Sequence, residues 1–169
     1  MSFQKKKDLV ILGIDPGIAD TGYGLIKEKN GKLVCLEYGS IKTEAKLKLP
    51  ERINILYDKL NLILERYSPD YSGVEELFFC NNVKTALIVG QARGAVLLSL
   101  TKNKIPIFEF TPLQVKQSVT SYGKAPKRQV QEMVKTFLNL KEIPRPDDAA
   151  DALAVAICTH SNLGLAKYK

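Results

Sequence analysis

The order of its segments predicts that this chain folds as an α/β domain around a mixed sheet. Three strand-like segments joined by short turns come first, and Asn30-Gly31 between the second and the third is a strong hairpin signal. Segments with helical and with strand periodicity then alternate to the end, as in domains that combine helices with a mixed sheet. The chain of 169 residues contains no repeat or low-complexity tract, so we expect a single domain covering 1–169.

Five segments have the composition of strands. The first, 10–15, is an apolar run that ends in Asp15. Pro16 and Gly17 then favour a turn, because proline fixes φ and glycine accepts a positive φ. The other predicted strands are 21–27, 33–43, 71–75 and 105–110.

Five segments have helical character. Apolar residues recur three and four positions apart in 49–67 and in 127–138, so each of these helices should bury one face. Pro112 can open a short helix over 113–119, because a first turn accepts proline. The final helix, 147–161, is apolar nearly all round and should therefore be buried.

The remaining helix, 82–100, has more apolar surface than one sheet can cover. Ala86, Gly90 and Gly94 stand at steps of four and form a low ridge. Close packing there would compensate for the roughly 1 kcal/mol that a helical glycine costs relative to alanine. Two partners fit this pattern, a second copy of the chain or the chain's own final helix.

Acidic residues stand at strand ends and in the first turn of the final helix. Asp15 and Glu75 end predicted strands, while Asp148 and Asp151 are three positions apart and share a helix face. Asp147 has the position of an N-cap, which explains its presence without any chemistry. An ionised Asp151 in a buried helix is costly unless a positive group meets it, and its sequence neighbours supply none.

The four acids other than Asp147 predict a metal site. Mg²⁺ takes carboxylate and phosphate oxygens as ligands, and two ions about 4 Å apart can activate a water and stabilise the leaving oxygen in phosphodiester cleavage. The net charge of +7 favours a polyanionic partner around this acidic centre. The residues therefore favour a metal-dependent nuclease that uses Mg²⁺, with Mn²⁺ able to substitute.

Basic and aromatic residues near these acids are candidates for DNA contacts. Phe78 and Phe79 follow the strand that ends at Glu75, and on extended backbone they point in opposite directions. Both rings can be core residues, or one is exposed and stacks on an unpaired base. Four cations surround Gly123 and either contact phosphates or form a solvated loop: Lys116, Lys124, Lys127 and Arg128.

Two further polar residues have less specific interpretations. Arg93 lies inside an apolar helix and either extends to solvent or reaches DNA, and its spacing does not distinguish these roles. His160 is predicted near the end of the final helix, where an interaction with the helix dipole is the simpler role.

Cysteine usage and hydropathy indicate a reduced, non-membrane environment. Cys35, Cys80 and Cys158 are odd in number and lack the close pairs typical of zinc sites, so we expect free thiols and a cytoplasmic location. The N-terminus lacks the pattern of a signal peptide, and no apolar run approaches the roughly 18 residues of a membrane span.

In this order and spacing the motifs resemble the RuvC-type Holliday-junction resolvases, bacterial crossover-junction endonucleases with a ribonuclease-H-like fold. The resemblance runs almost end to end. It rests on GIDPG at 13–17, TGYG at 21–24, VEELF at 74–78, GQARG at 90–94, PLQVKQ at 112–117, KRQV at 127–130 and DAADALA at 148–154.

The resemblance implies a homodimer that binds a four-way DNA junction, nicks two symmetry-related strands and cooperates with a branch-migration helicase complex. The family's aromatic residue at the junction centre falls on Phe78. Its metal-binding acids and its catalytic, DNA-contacting lysines fall on Asp15, Glu75, Asp148, Asp151, Lys116 and Lys127.

The chain departs from the family pattern at two positions. Ser121 stands where glycine is usual, which can alter the mobility of the loop near DNA. Gly73 stands where alanine is more usual and slightly weakens its strand.

Three other functions share part of the pattern. A pre-ribosomal-RNA processing nuclease of the same fold has the Gly-x-Asp-x-Gly opening but lacks the GQARG and DAADALA segments. A sugar-kinase or actin-like phosphotransferase pairs two such domains, more than 169 residues hold. A junction-binding protein without catalysis would not need four acids.

Overall fold

Five strands form one mixed sheet, as the order of segments predicts. The computed structural model describes residues 8–77 and 82–166. Its strands are β1 (Leu9–Asp15), β2 (Asp20–Lys29), β3 (Lys32–Lys42), β4 (Tyr71–Glu75) and β5 (Ile107–Phe110). They are ordered β3-β2-β1-β4-β5. The first three are antiparallel neighbours, whereas β4 and β5 run parallel to β1, so the carboxyl ends of β1 and β4 meet at one edge.

Five helices cover the two faces of this sheet. They are α1 (Leu49–Tyr67), α2 (Val83–Lys102), α3 (Pro112–Thr120), α4 (Lys127–Phe137) and α5 (Asp147–Ala166). One core joins α5, α3 and α4 to one face of the sheet, and a separate core joins α1 and α2 to the other. Because α5 and α2 lie on opposite faces, the small residues of α2 do not receive the chain's own final helix.

Glycines in the strands allow α5 to lie unusually close to the sheet. A β-carbon at Gly13 would lie 2.0 Å from the carbonyl oxygen of Ala152, and one at Gly22 would lie 2.0 Å from that of Asp148. At Gly73 it would lie 2.0 Å from Oγ1 of Thr159. The glycine that departs from the family pattern therefore makes room for a threonine on α5.

The other face packs through larger side chains. Leu56 and Leu60 of α1 and Val96 and Leu100 of α2 are fully buried against the sheet. The outer side of α2 remains apolar and exposed, and among the described helices α2 alone is long and apolar enough to span a bilayer. That finding corrects the expectation that no segment qualifies, but the inner side of α2 packs against the sheet, as does a core helix of a domain.

Element boundaries differ from the predictions mainly at α5 and β5. The strand β5 begins at Ile107, two residues later than predicted, and α5 continues to Ala166. His160 is therefore in the body of α5, where its Nε2 lies 3.0 Å from Oε2 of Glu28 on β2. The predicted dipole role at a helix end is wrong, because the helix does not end there.

The thiols of Cys35 and Cys158 are free, as expected. Burial raises the pKa of the Cys35 thiol to about 11 and also raises that of Cys158. Neither thiol is therefore a reactive nucleophile near neutral pH. Cys80 lies outside the described residues.

Candidate active site at the carboxyl ends of β1 and β4

Strand register brings Asp15 and Glu75 together. Ile14 is paired with Val74, so the next residue of each parallel strand lies beside the other. Side chains alternate along a strand, and Gly13 and Gly73 face α5, so Asp15 and Glu75 also face α5. Their carboxyl groups share a hydrogen bond.

The first turn of α5 supplies the other two predicted acids. Gly22 pairs with Asp15 across β1 and β2, and its missing side chain leaves room for the backbone of Asp148. The charges of Asp148 and Asp151 both act on Asp15, and that of Asp151 also acts on Glu75. The structure thus gathers the four acids that the sequence singles out.

Burial and mutual repulsion disfavour full ionisation of this cluster. Burial raises the pKa of Asp15 to about 7, and the charges of Asp151 and Asp148 add to the effect. Burial followed by the charges of Asp15 and Asp151 raises the pKa of Glu75 to about 8. The hydrogen bond between the two carboxyl groups requires a proton on one of them. Burial and the charges of Asp20 and Asp151 also raise the pKa of Asp148.

A fifth acid, Asp20, was missed by sequence reasoning. It begins β2 two residues before Gly22 and so points to the same face of the sheet. Its charge acts on Asp148, and Nζ of Lys42 lies 4.0 Å from its Oδ2. Its Oδ1 is buried without a hydrogen-bond partner among the described residues. In the sequence, the available sign of Asp20 was its position as an acid at the start of a strand.

Two lysines complete the site. A cleft of about 230 Å³ is lined by Glu75, Asp151, Lys116 and Lys127, together with Pro112, Val115, Val130 and Ala154. Nζ of Lys127 lies 3.0 Å from Oδ2 of Asp151, which is the positive group that sequence neighbours do not supply. Burial opposes the charge of Lys127, but its hydrogen bond and attraction to Asp151 outweigh this and raise its pKa.

Asp147 is not the N-cap of α5. The amide groups of Ala149 and Ala150 donate to the carbonyl oxygen of Pro146, which places Pro146 at the capping position. The carboxylate of Asp147 instead contacts Lys127, Arg145 and Gln131. Burial raises its pKa, but the charges of Lys127 and Arg145 outweigh this effect, and the net pKa is lowered.

The loop between α3 and α4 and the first turn of α4 carry the other predicted cations. Lys124 and Arg128 are exposed there, as a DNA contact requires. Ser121 ends α3 with φ of 60°, in the left-handed region that favours glycine. The glycine that is usual at this position would adopt that conformation without strain.

The guanidinium group of Arg93 contacts protein groups in a way that neither prediction anticipated. It pairs with the carboxylate of Glu109, and its Nε lies 3.4 Å from the carbonyl oxygen of Glu75. Its side chain is 19% exposed. In this structure Arg93 therefore contacts the last residue of β4, and its contact with DNA stays a prediction. Phe78 lies outside the described residues.

The donor set fits a hard divalent cation. Within residues 8–77 and 82–166, no group of three or more histidine, cysteine, aspartate or glutamate side chains is already arranged to hold a metal ion. Burial and the neighbouring acids nevertheless raise the pKa values of Asp15 and Glu75, so the site lacks the positive charge needed to ionise them, and a buried oxygen of Asp20 without a hydrogen-bond partner among the described residues lies beside this cluster. A bound cation would favour ionisation of the acids and would give the buried oxygen of Asp20 a partner, because carboxylate oxygens are ligands that Mg²⁺ prefers.

Comparisons with known proteins point to one family. The family model described as crossover junction endodeoxyribonuclease RuvC matches residues 11–160. The crossover junction endodeoxyribonuclease RuvC of Clostridioides difficile is 53% identical over 155 residues, covering 91% of this chain and 92% of the relative. That of Desulforamulus reducens is 56% identical over 150 residues, covering 89% and 92%.

A solved RuvC structure is also similar to this chain. The RuvC of T. thermophilus in complex with a Holliday junction substrate superposes with a TM-score of 0.85. It is 34% identical in sequence, and the match covers 93% of this chain and 96% of the other.

Proposed function

This chain belongs to the RuvC family of crossover junction endodeoxyribonucleases, and we propose that it resolves four-way DNA junctions by paired symmetric nicks in recombination and repair. It has the ribonuclease-H-like fold of that family. A pre-ribosomal-RNA processing nuclease, the alternative of the same fold, is not favoured, because the family model and the curated relatives point to RuvC. We place the reaction in the bacterial cytoplasm, where the chromosome lies.

The observation that most directly supports this proposal is a cleft that is lined by both acids and lysines. Glu75 and Asp151 line it together with Lys116 and Lys127, and Asp15 is hydrogen-bonded to Glu75. A DNA phosphate that enters the cleft would meet the two ammonium groups. Carboxylates alone would repel it, so the site requires both kinds of residue and a cation.

We assign metal binding to four acids, Asp15, Glu75, Asp148 and Asp151. They would hold two Mg²⁺ ions, which would supply an activated water and stabilisation of the leaving oxygen, and Mn²⁺ would be able to substitute. The protein's own contribution is to hold the four carboxylates on one face of the sheet and to keep bulk water away from Asp15 and Glu75. Loss of the proton that these two acids share would accompany binding, because metal ligands are deprotonated.

DNA recognition would extend beyond the cleft. Lys124 and Arg128 are exposed on the adjacent loop and helix start, where they can contact phosphates of the junction arms. The resemblance assigns stacking at the junction centre to Phe78, and a branch-migration helicase complex as a partner. Both stay predictions.

The exposed face of α2 supports a homodimer. Leu87 and Leu98 are 64% and 52% exposed, although they belong to a helix that packs against the sheet. Between α1 and α2 an apolar groove of about 520 Å³ is lined by Gly94, Ala95 and Leu98 and by residues of α1. Among residues 8–77 and 82–166, nothing beyond the adjoining backbone of α2 itself lies within 4 Å of a β-carbon placed at Gly94, so a second backbone has room to approach. A two-fold dimer would present two sites to two equivalent strands.

The test is cleavage of a synthetic mobile four-way junction with and without Mg²⁺. We expect paired nicks at symmetry-related positions, products that ligase reseals, and no cleavage in EDTA. Linear duplex and RNA serve as substrate controls, and Asp15→Asn serves as the protein control. Faster cleavage of structured RNA than of the junction would instead favour the pre-ribosomal-RNA alternative.

A further inference from the structure

The two carboxylates that hold Lys127 belong to different parts of the site. Its Nζ lies 3.0 Å from Oδ2 of Asp151 and 3.5 Å from Oδ2 of Asp147. Asp151 is one of the four acids assigned to metal binding, whereas Asp147 is not. The same ammonium group therefore has one partner inside the metal cluster and one partner outside it.

Asp147 is itself held in place by two other side chains. Its Oδ1 accepts hydrogen bonds from Nε2 of Gln131, at 3.2 Å, and from the guanidinium of Arg145. Gln131 is 6% exposed and lies one turn after Lys127 on the same face of α4. With Oδ1 occupied in this way, Oδ2 is directed at Lys127.

We propose that Asp147 is a positioning residue, which keeps the ammonium group of Lys127 at the mouth of the cleft when a metal ion takes Asp151. The proposal rests on the nuclease function proposed above. Oδ2 of Asp151 cannot serve a cation and Lys127 equally, and the cation would also repel the ammonium group. With Asp147 as its remaining partner, Lys127 stays where it can contact an oxygen of the DNA phosphate.

A purely structural role explains these contacts less well. The side chains of Lys127 and Asp147 are 51% and 43% exposed, and ion pairs so exposed contribute little to folding stability. Capping does not explain Asp147 either, since Pro146 has that position. What the contacts do achieve is to fix a flexible lysine beside the acids.

The experiment compares Asp147→Asn and Asp147→Glu with the wild type. Single-turnover cleavage is measured at saturating enzyme, and junction affinity is measured separately in EDTA. We expect Asp147→Asn to lower the rate about tenfold, because a misplaced catalytic group is costly, while affinity and melting temperature stay unchanged. Asp147→Glu should recover most of the rate. Glu132→Gln removes an exposed charge from the same helix as Lys127 and is the matched control.

A second readout does not depend on activity. Limiting acetylation of the DNA-free protein, read by mass spectrometry, reports how available each amine is. In Mg²⁺ we expect Lys127 to be acetylated several times faster in Asp147→Asn than in the wild type, and the difference to shrink without Mg²⁺, when Asp151 holds the lysine in both proteins.

Equal labelling of Lys127 in Mg²⁺ together with a wild-type cleavage rate would overturn the positioning role. So would a loss of rate that Glu132→Gln reproduces, or one that follows the melting temperature and is not restored by Asp147→Glu. If the wild type leaves junctions intact, the proposed nuclease function fails, and the labelling comparison alone then decides whether Asp147 holds Lys127.

Discussion

The two faces of the sheet are packed by different means. Against α5, the glycines of β1, β2 and β4 receive backbone atoms and small side chains, among them Ala152 and Ala156. Against α1 and α2, the contacts are made by large aliphatic side chains such as Leu56, Leu60 and Leu100. The first face carries the acids, and the second leaves apolar surface exposed on α2.

The difference relates packing to function. Backbone atoms in contact cannot approach further without a clash, so the close packing on the α5 face limits how far the acids can shift relative to one another. Aliphatic side chains can change rotamer and repack with moderate loss, so the other face tolerates change and is suited to assembly. Variants on one face should therefore alter catalysis or stability, and variants on the outer side of α2 should alter association.

The largest expected effect concerns the acids themselves. Single changes to the amide at Asp15, Glu75, Asp148 or Asp151 should lower cleavage at least about 1,000-fold, equivalent to roughly 4 kcal/mol in the barrier, because each removes a proposed metal ligand. Junction binding and dimerisation should remain, as gel shift and sedimentation would measure. Asp58→Asn, on the opposite face in α1, is the control. Full activity in any of the four amide variants would remove that residue from the metal set.

The next effect tests the close packing of α5 directly. Gly13→Ala places a methyl group against the backbone of Ala152 and should cost about 3 kcal/mol of unfolding free energy, since overpacking of this kind forces backbone shifts. Gly164→Ala, in α5 but with open space around the new methyl, should be neutral or stabilising by up to about 1 kcal/mol. Urea unfolding of both variants decides the matter. Equal stability would mean that α5 can move away from the sheet at little cost.

A smaller effect is expected on the outer side of α2. Leu87→Glu should weaken the dimer by about 2 kcal/mol, or roughly thirtyfold in dissociation constant, because an apolar contact is replaced by a charge. Leu62→Glu on α1 starts from the same exposure, 64%, and is the matched control. Analytical ultracentrifugation measures both. A wild type that stays monomeric at micromolar concentration, yet makes paired nicks, would remove the proposed interface.

The last prediction is a pH dependence of the metal-free protein, which involves no substitution. Asp15 and Glu75 have folded-state pKa values of about 7 and about 8, whereas unfolded acids titrate near pH 4. Between these limits the folded state binds more protons, so stability should fall as pH rises from about 5 to about 8. The melting temperature should drop steadily over this range, and Mg²⁺ should oppose the drop. A flat profile without metal would mean that the two acids ionise freely.

Much of the architecture was predictable from local patterns. The bounds of α1 and β4 agree with the predictions, because periodic apolar residues and terminal prolines or turns define them. The acids of the α5 face were identifiable because carboxylates at strand ends and in an apolar helix lack any local reason to be there. Their gathering follows from the parallel pairing of β1 with β4.

Contacts between distant segments were decided by the tertiary structure alone. Sequence spacing does not show that Lys127 reaches Asp151, 24 residues away, or that Asp147 turns toward α4 instead of capping its own helix. Nor does it show that Arg93 pairs with Glu109 or that Asp20 joins the acidic cluster. A long polar side chain can reach any of several partners, and which one it contacts depends on how the helices pack against the sheet. Local propensity determines the elements of this protein, but the placement of α4 and α5 determines the chemistry between them.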